Sequence, residues 1–227
     1  MTEQKKRRPY SSALRQEHAQ ATRQKIATAA RQLMIRKGYA DTTMAEVARE
    51  AGVAVQTLYT SCPGGKPGLA KLVYDITLAG DARPLPQCDR PEVQAIIDEP
   101  DPVRKLARYA AMATAILRRI KPVHRVLRAA AAASPTDAGL QDMLTGIEHE
   151  RLTGSRGPAE HLHAIGALRP DLPPARAAAQ IYVLTSTENF EKLTEVCGWS
   201  EGEYEEWLAT MLAAALLEHP HDEWLAN

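Results

Sequence analysis

Residues 22–71 read TRQKIATAARQLMIRKGYADTTMAEVAREAGVAVQTLYTSCPGGKPGLAK, and this stretch decides the fold. Its first part carries apolar or small residues at the spacing of one helical face, namely Ile26, Ala30, Leu33 and Met34. Gly38 follows, and glycine takes the left-handed conformation that ends a helix without a steric penalty. The sequence therefore predicts a helix that packs one face and stops at Gly38.

Two more helices are predicted directly after it. Thr43 and Glu46 have the spacing of a capping box, in which a hydroxyl and a carboxylate each satisfy a free backbone N–H group. We expect a second helix to begin there and to end at Gly52. Only Val53 separates Gly52 from a third helical stretch over residues 54–60, so these two helices must cross at a steep angle. This order of elements is the helix-turn-helix pattern, which favours DNA binding.

Several motifs resemble the N-terminal signature of the tetracycline-repressor (TetR) family of bacterial regulators: Gly38-Tyr39, Thr42-Thr43, AREAGV at 48–53, Thr57-Leu58-Tyr59 and Gly65-Lys66. Residues 197–217, CGWSEGEYEEWLATMLAAALL, are similar to the last helix in one branch of that family. The resemblance implies an all-α fold with an N-terminal helix-turn-helix DNA-binding domain and a C-terminal helical ligand-binding and dimerisation domain.

We divide the chain into a basic flexible arm (1–20), the helix-turn-helix domain (21–66) and the helical ligand-binding and dimerisation domain (67–227). The arm carries four consecutive basic residues, Lys5, Lys6, Arg7 and Arg8. The arm is expected to become helical from about Ala13 onward, and two interpretations of its role stay open. It either adds phosphate contacts or enters a minor groove, or it is an unstructured solubilising tail.

Charge is distributed unevenly along a chain whose formal net charge is zero. Residues 1–80 contain 13 Lys and Arg against 6 Asp and Glu, which leaves a charge of −7 for the remainder. No Lys or Arg follows Lys192. A basic N-terminal module on an acidic body directs one end of the molecule towards a polyanion. The alternative is that both are ordinary solvated surfaces.

The third helix supplies the residues expected to read DNA. Val53 and Leu58 are needed to hold it, which leaves five residues for solvent: Val55, Gln56, Thr57, Tyr59 and Thr60. In a major groove, Gln56 can pair with an adenine edge, and the methyl groups of Val55 or Thr57 can contact thymine. The family resemblance further implies that Thr43, Tyr59 and Lys66 touch phosphates.

Three positions depart from the family pattern. Ala54 stands where Ser or Thr usually caps the third helix, and losing that cap costs roughly 1 kcal/mol. Ser61 and Cys62 replace a polar or aromatic phosphate-contacting residue and an apolar Phe or Val. Cys62 is either a small core residue or a redox-sensing thiol.

Prolines and glycines divide the remainder into helices. The expected spans are Pro67 to about Ala79, a turn over 92–98, 101–120, Pro122 to Ala133, a helix from Asp137 interrupted near Gly154 to Pro158, Pro173 to about Val196, and 201–217. The last helix has an unbroken apolar stripe that includes Tyr204, Trp207, Leu208, Met211, Leu212 and Ala215. In the family, the last two long helices pair with those of a second subunit, so we expect a homodimer through this stripe.

An effector cavity is expected among residues 101–196, where alanines and medium-sized apolar residues are common and aromatics are few. Its candidate lining residues lie on apolar or mixed helix faces: Met112, Leu117, His124, Leu127, Met143, Ile147 and Tyr182. This composition favours a largely hydrophobic, uncharged or weakly acidic ligand. The alternative is that these side chains simply fill a core.

The leading interpretation is a ligand-responsive transcriptional repressor that binds a palindromic operator in double-stranded DNA as a homodimer and is released by a small hydrophobic effector. The alternative is a ligand-binding or scaffold protein on the same fold with weakened or lost specific DNA binding. Residue spacing favours no catalytic, metal or cofactor site. Three scattered cysteines indicate the cytoplasm, and no apolar run reaches the ~20 residues of a membrane span.

Overall fold

The computed structural model describes residues 10–218, with side chains from residue 15 onward. This range folds into eleven α-helices: α1 (Tyr10–Lys37), α2 (Met44–Ala51), α3 (Val55–Ser61), α4 (Gly65–Ala79), α5 (Pro91–Ile97), α6 (Pro102–Ala133), α7 (Ala138–Gly154), α8 (Arg156–Ala164), α9 (Pro174–Leu184), α10 (Thr187–Glu191) and α11 (Glu201–Leu216). Within it there is no β-strand, and a single bridge joins Leu168 to Leu217. The predicted all-α class is confirmed.

The helices form two compact units. Residues up to 84 make the first unit together with 125–135, and residues 85–124 make the second together with the chain from 136 onward. This division differs from the predicted boundary after residue 66, because α4 packs closely on α1 within the first unit. No helix in the described range is both long and apolar enough to cross a membrane.

Helix α1 begins at Tyr10, a few residues before the predicted helical start near Ala13. Residues 10–20 continue the same helix, although they fall in the predicted flexible arm. They contain neither glycine nor proline. Because the packed part of α1 is already helical, these residues only extend an existing helix and do not have to nucleate a new one. The predicted packing face of α1 is confirmed, since Ile26, Ala30 and Met34 are fully buried.

A capping box fixes the start of α2, as predicted. The Thr43 hydroxyl accepts a hydrogen bond from the backbone N–H of Glu46 (3.2 Å), and the Glu46 carboxylate accepts one from the backbone N–H of Thr43 (3.1 Å). Lys37, in the last turn of α1, places its ammonium 2.5 Å from the same carboxylate. That contact, with the Thr43 hydrogen bonds, lowers the pKa of Glu46 from 4.5 to about 2. The junction between α1 and α2 is therefore held by one carboxylate.

We expect Glu46→Gln to flatten the acid dependence of stability. A lowered pKa in the folded state stabilises the fold above the unfolded value of 4.5, and this contribution is lost as pH falls towards about 2. The amide can still accept from Thr43, so the variant loses mainly the charge. Urea unfolding between pH 7 and pH 2 measures the effect, with Glu50→Gln on the same helix as the control. Parallel profiles for wild type and Glu46→Gln would contradict this assignment.

Helix α6 is continuous, and the predicted break before Pro122 is wrong. Proline lacks an N–H group and its ring crowds the carbonyl four residues earlier, which usually interrupts a helix. Here Ile120 and Val123 flank Pro122 and are both buried. Their burial, together with the hydrogen bonds of a 32-residue helix, offsets the loss of one hydrogen bond.

The helix from Pro174 is shorter than predicted and ends at Leu184 rather than near Val196. The Thr185 hydroxyl donates to the carbonyl of Ile181 (2.7 Å), and the Ser186 hydroxyl accepts from the N–H of Asn189 (3.2 Å). Ser186 thereby caps a new helix, α10, inside an otherwise helical run. Residues 192–196 then form a π-helical turn. The predicted interruption near Gly154 is confirmed, since α7 ends there and α8 begins at Arg156.

Candidate nucleic-acid interface

Helix α3 presents most of its side chains to solvent. Leu58 is fully buried, and Val53 just before the helix is half-buried. The five residues expected to read DNA are all exposed: Val55, Gln56, Thr57, Tyr59 and Thr60. Val55 and Tyr59 keep 43% and 49% of their surface accessible, which is unusual for large apolar side chains. The helix therefore exposes a mixed polar and apolar surface that a groove of DNA can contact.

The turn before α3 sets the direction of the helix. Gly52 adopts the left-handed conformation (φ 66°), and its N–H points at the carbonyls of Ala48 and Arg49. The N–H of Val53 bonds to the Ala48 carbonyl at 2.9 Å. Ala54 is the N-cap residue of α3, and its methyl group cannot accept a hydrogen bond from the first backbone N–H groups of the helix. The start of α3 is thus held by the backbone of the turn and by packing.

The end of α3 is held by packing and by one polar contact. Cys62 is 1% exposed, and burial raises the pKa of its thiol. A buried, protonated thiol is a poor nucleophile, so these features favour the small-core interpretation of Cys62 over a redox sensor. Arg23 of α1 donates to the carbonyl of Ser61 at 3.5 Å, a long contact at the exposed edge. No sequence pattern indicates this contact, because Arg23 and Ser61 are 38 residues apart.

Thr43 is already engaged in the capping box. Besides accepting from the Glu46 N–H, its hydroxyl donates to the Glu46 carboxylate at 2.8 Å. A phosphate can receive that hydrogen only if the hydroxyl releases Glu46. The side chain is exposed, so it is accessible for such an exchange.

Lys66 is held at the start of α4 by the loop that follows α1. Its ammonium donates to the carbonyl of Ala40 at 2.7 Å and lies 4.5 Å from the centre of the Tyr39 ring. A lysine ammonium has three donors, and the Ala40 carbonyl takes one of them. Tyr39 is 5% exposed and therefore gives the ammonium a fixed support.

The N-terminus of α4 differs in detail from the prediction. The helix begins at Gly65 with Gly64 as its N-cap, so Pro67 is the third helical residue rather than the first. The N–H groups of Gly65 and Lys66 belong to the first turn, where N–H groups have no partner within a helix and attract anions. Gly68 closes the turn, because a Cβ atom there would lie 1.9 Å from the Pro63 carbonyl oxygen.

We predict that Gly68→Ala destabilises the protein by about 1–3 kcal/mol, since the new methyl group meets backbone that must move. Gly146→Ala is the matched control. Gly146 lies inside α7 with no atom within 4 Å of an added Cβ, so alanine should be neutral or stabilising by up to about 1 kcal/mol. Denaturant unfolding of both variants measures the difference, and equal stability of the two would contradict the close approach.

The remaining DNA-binding candidates, Lys5, Lys6, Arg7 and Arg8, lie outside the described residues. The effector candidates fall into two groups. Leu117, His124 and Ile147 are buried in the second unit, while Met112, Met143 and Tyr182 of the same unit are half-buried. Leu127 is fully buried but belongs to the first unit. The sequence does not indicate this separation, because residues 101–196 carry the same cavity-permitting composition throughout.

The second unit contains a polar cluster of Tyr182, Glu148 and Arg151. Of these residues, the sequence indicated only Tyr182 as a candidate. The Tyr182 hydroxyl donates to the Glu148 carboxylate at 2.6 Å. Arg151 donates to the same carboxylate at 2.8 Å and to the carbonyl of Thr185 at 3.1 Å. The hydrogen bond between Tyr182 and Glu148, with burial, raises the pKa of the Tyr182 phenol. The spacing of Glu148 and Arg151 on α7 was the only available signal, and such pairs are usually solvated.

The apolar stripe of α11 divides into two faces. Tyr204, Leu208 and Leu212 are fully buried within the chain itself, and the Tyr204 ring packs edge-on against Phe190 at 4.9 Å. The other three interface candidates, Trp207, Met211 and Ala215, are half-buried. One side of the stripe therefore packs in the core of the chain, and the other side lies partly at the surface. Only the second face is available to a partner.

Comparisons with known proteins agree with the predicted family. Residues 26–61 match the model for bacterial regulatory proteins of the tetR family. This segment runs from the packed part of α1 to the last residue of α3. No curated protein matches the chain. Among the described residues, no group of three or more His, Cys, Asp or Glu is arranged to hold a metal.

Solved structures share the fold at low sequence identity. A protein of Mesorhizobium loti assigned to the TetR family of transcriptional regulators is 19% identical, with 88% of this chain and 98% of that chain covered and a TM-score of 0.62. NalD, the secondary repressor of the MexAB-OprM multidrug efflux pump in Pseudomonas aeruginosa, is 19% identical over 90% and 100%, with a TM-score of 0.59. SmeT in complex with triclosan is 16% identical over 88% and 94%, with a TM-score of 0.62.

The chain thus has the helical fold of TetR-family transcriptional regulators. Its helix-turn-helix segment also carries the sequence pattern of that family, which confirms the resemblance seen in the sequence.

Proposed function

We propose that this protein is a dimeric, ligand-responsive transcriptional repressor of the TetR type. The observation that carries the proposal is the surface of α3, where five of the seven residues are exposed around one buried leucine, Leu58. This surface lies in the segment that matches the family model. An exposed seven-residue helix with a glutamine and two threonines has the size and chemistry to enter a major groove.

Phosphate contacts would flank this surface. Lys66 would supply a positive charge at the start of α4, and the first turn of α4 would supply backbone N–H groups. Tyr59 can add its hydroxyl. Thr43 contributes directly only by exchanging its bond to Glu46, so we assign it mainly to positioning α2. The net positive charge of residues 1–80 supports this arrangement electrostatically.

Dimerisation and effector control complete the proposal. The half-buried face of α11 that contains Trp207, Met211 and Ala215 is the proposed dimer surface, and two-fold symmetry suits a palindromic operator. The second unit is the proposed effector-binding unit. The neighbours include a repressor of a multidrug efflux pump and a complex with triclosan, which makes a small apolar effector reasonable for this chain too. Such an effector acts only if it prefers one dimer shape.

Selection of bound fragments from random or genomic DNA tests the function directly. We expect enrichment of a palindrome, and loss of the bound protein when an effector is added. The second candidate function is a ligand-binding or scaffold protein that has lost specific DNA binding, and the uncapped start of α3 at Ala54 motivates it. Retained dimerisation with no enriched palindrome would favour this second function.

Gln56 and Lys66 should differ in their effects on DNA binding. Gln56→Ala should cost about 1–3 kcal/mol on the selected site and relax one base position, because it removes a base contact. Lys66→Ala should weaken binding to all sequences and reduce the salt slope, because it removes a phosphate contact. Titrations at several salt concentrations on specific and unrelated DNA separate the two. An equal loss on every sequence for both variants would refute the division of roles.

The α11 face should control assembly. Replacing Trp207 and Met211 together with Glu should produce monomers or aggregates, since two charges would be desolvated in the interface. Both side chains are half-buried in the single chain, and the Trp207 ring also packs against the Tyr204 ring at 5.6 Å. Thr210→Glu, at an exposed position of the same helix, is the control. Sedimentation velocity measures the outcome, and a double variant that stays dimeric would place the interface elsewhere.

A further inference from the structure

Arg23 of α1 lies at the C-terminal end of α3. Its guanidinium nitrogen Nη1 is 3.5 Å from the carbonyl oxygen of Ser61, the last residue of α3. Both residues belong to the first unit, and Arg23 is exposed while Ser61 is half-buried. The last carbonyls of a helix have no partner within it, so a cation from another helix stabilises them. Arg23 therefore places a positive charge beside the helix that is proposed to enter DNA.

No carboxylate in the described part of the chain neutralises this charge through an ion pair. Across the residues whose side chains the structure describes, the Ser61 carbonyl is the only hydrogen-bond partner of Arg23. The neighbours one turn away on α1, at positions 19, 20, 26 and 27, are uncharged. Residues 51–74, which include all of α3, contain no Asp or Glu. The Arg23 guanidinium is thus a charge that an anion from outside the chain can approach.

Helix α3 carries no charged residue of its own, since its sequence is VQTLYTS. Its seven residues make it about 10 Å long at 1.5 Å per residue, close to the ~12 Å width of the major groove. A helix of this length that spans the groove has each end near one of the two phosphate backbones. Affinity for those phosphates depends on cations. At the C-terminal end of α3, the cation that touches the helix is Arg23.

We propose that Arg23 contacts a phosphate of the bound DNA while it keeps its contact with the Ser61 carbonyl. A guanidinium has five N–H donors in a planar fork, so one edge can face the carbonyl and another edge the phosphate. The contact fixes the end of α3 against the DNA backbone. The proposal rests on the DNA-binding function proposed above. It adds to that function a residue that lies before the segment 26–61 matching the family model.

The salt dependence of binding to an unrelated DNA duplex tests the contact without an operator. Arg23→Gln should lower the slope of log affinity against log salt by about 0.9 and weaken binding roughly fivefold to tenfold near 0.1 M salt, since one phosphate contact is lost. Arg23→Lys keeps the charge and should keep the slope. Fluorescence anisotropy on the full chain measures both. An unchanged slope for Arg23→Gln would overturn the proposal.

Arg176→Gln is the matched control. Arg176 is an exposed arginine on α9 in the second unit, so this variant loses the same charge away from α3. It should leave the salt slope unaltered. A slope that falls equally in Arg176→Gln and Arg23→Gln would show an effect of total charge and would overturn the assignment to Arg23.

Ethylation of DNA phosphates separates a phosphate contact from a purely structural role. On a selected fragment, ethylation of the phosphate that Arg23 contacts should block the wild type but no longer affect Arg23→Gln, while all other blocking positions stay the same. If Arg23 only holds α3 in place, the variant should melt at a lower temperature and keep the wild-type set of blocking phosphates. That result would overturn the proposal.

The same experiments separate this proposal from the proposed function. A protein that selects a palindrome but whose salt slope does not depend on Arg23 would leave the repressor role in place and refute the contact. A protein that selects no palindrome, yet binds unrelated DNA with a slope that depends on Arg23, would establish the contact and refute the repressor role. The absence of any DNA binding would refute both.

Discussion

The burial of Leu58 is the interaction on which the proposed DNA surface depends. Helix α3 has seven residues and no side-chain cap, so it would not persist as an isolated helix. Leu58 is its only fully buried side chain, and such burial contributes roughly 1.5–3 kcal/mol. The left-handed turn at Gly52 aims the helix so that Leu58 reaches the core. The exposed residues of α3 add little to stability, and their chemistry is therefore available for binding.

Several side chains of the first unit stabilise the fold and also hold the proposed DNA-binding groups in position. Lys66 is held by the Ala40 carbonyl and the Tyr39 ring, so a phosphate would meet an ammonium that is already oriented. Glu46 joins the cap of α2 to Lys37 of α1 and thereby fixes the helix that precedes the turn. Holding binding groups in place before the ligand arrives reduces the entropy lost on binding. The geometry of the first unit is consistent with such preorganisation.

Local signals were enough to predict the helix-turn-helix, because capping boxes and left-handed glycines act within a few residues. The exposed face of α3 was predictable for the same reason. At Pro122 the local rule fails, since burial of the neighbouring residues in the tertiary structure outweighs the proline effect. Ser186 was overlooked as a cap because it lies inside a helical run. The Arg151–Thr185 contact carries no local signal, since it joins residues 34 apart in the sequence.

The most direct test of the account is methylation interference on a DNA fragment selected by the protein. Dimethyl sulfate modifies guanine N7 in the major groove and adenine N3 in the minor groove. If α3 reads DNA as a dimer, methylated guanines should block binding in two symmetric half-sites about one helical turn apart or a multiple of it. Interference confined to minor-groove adenines, or the absence of any symmetric pair, would contradict the account.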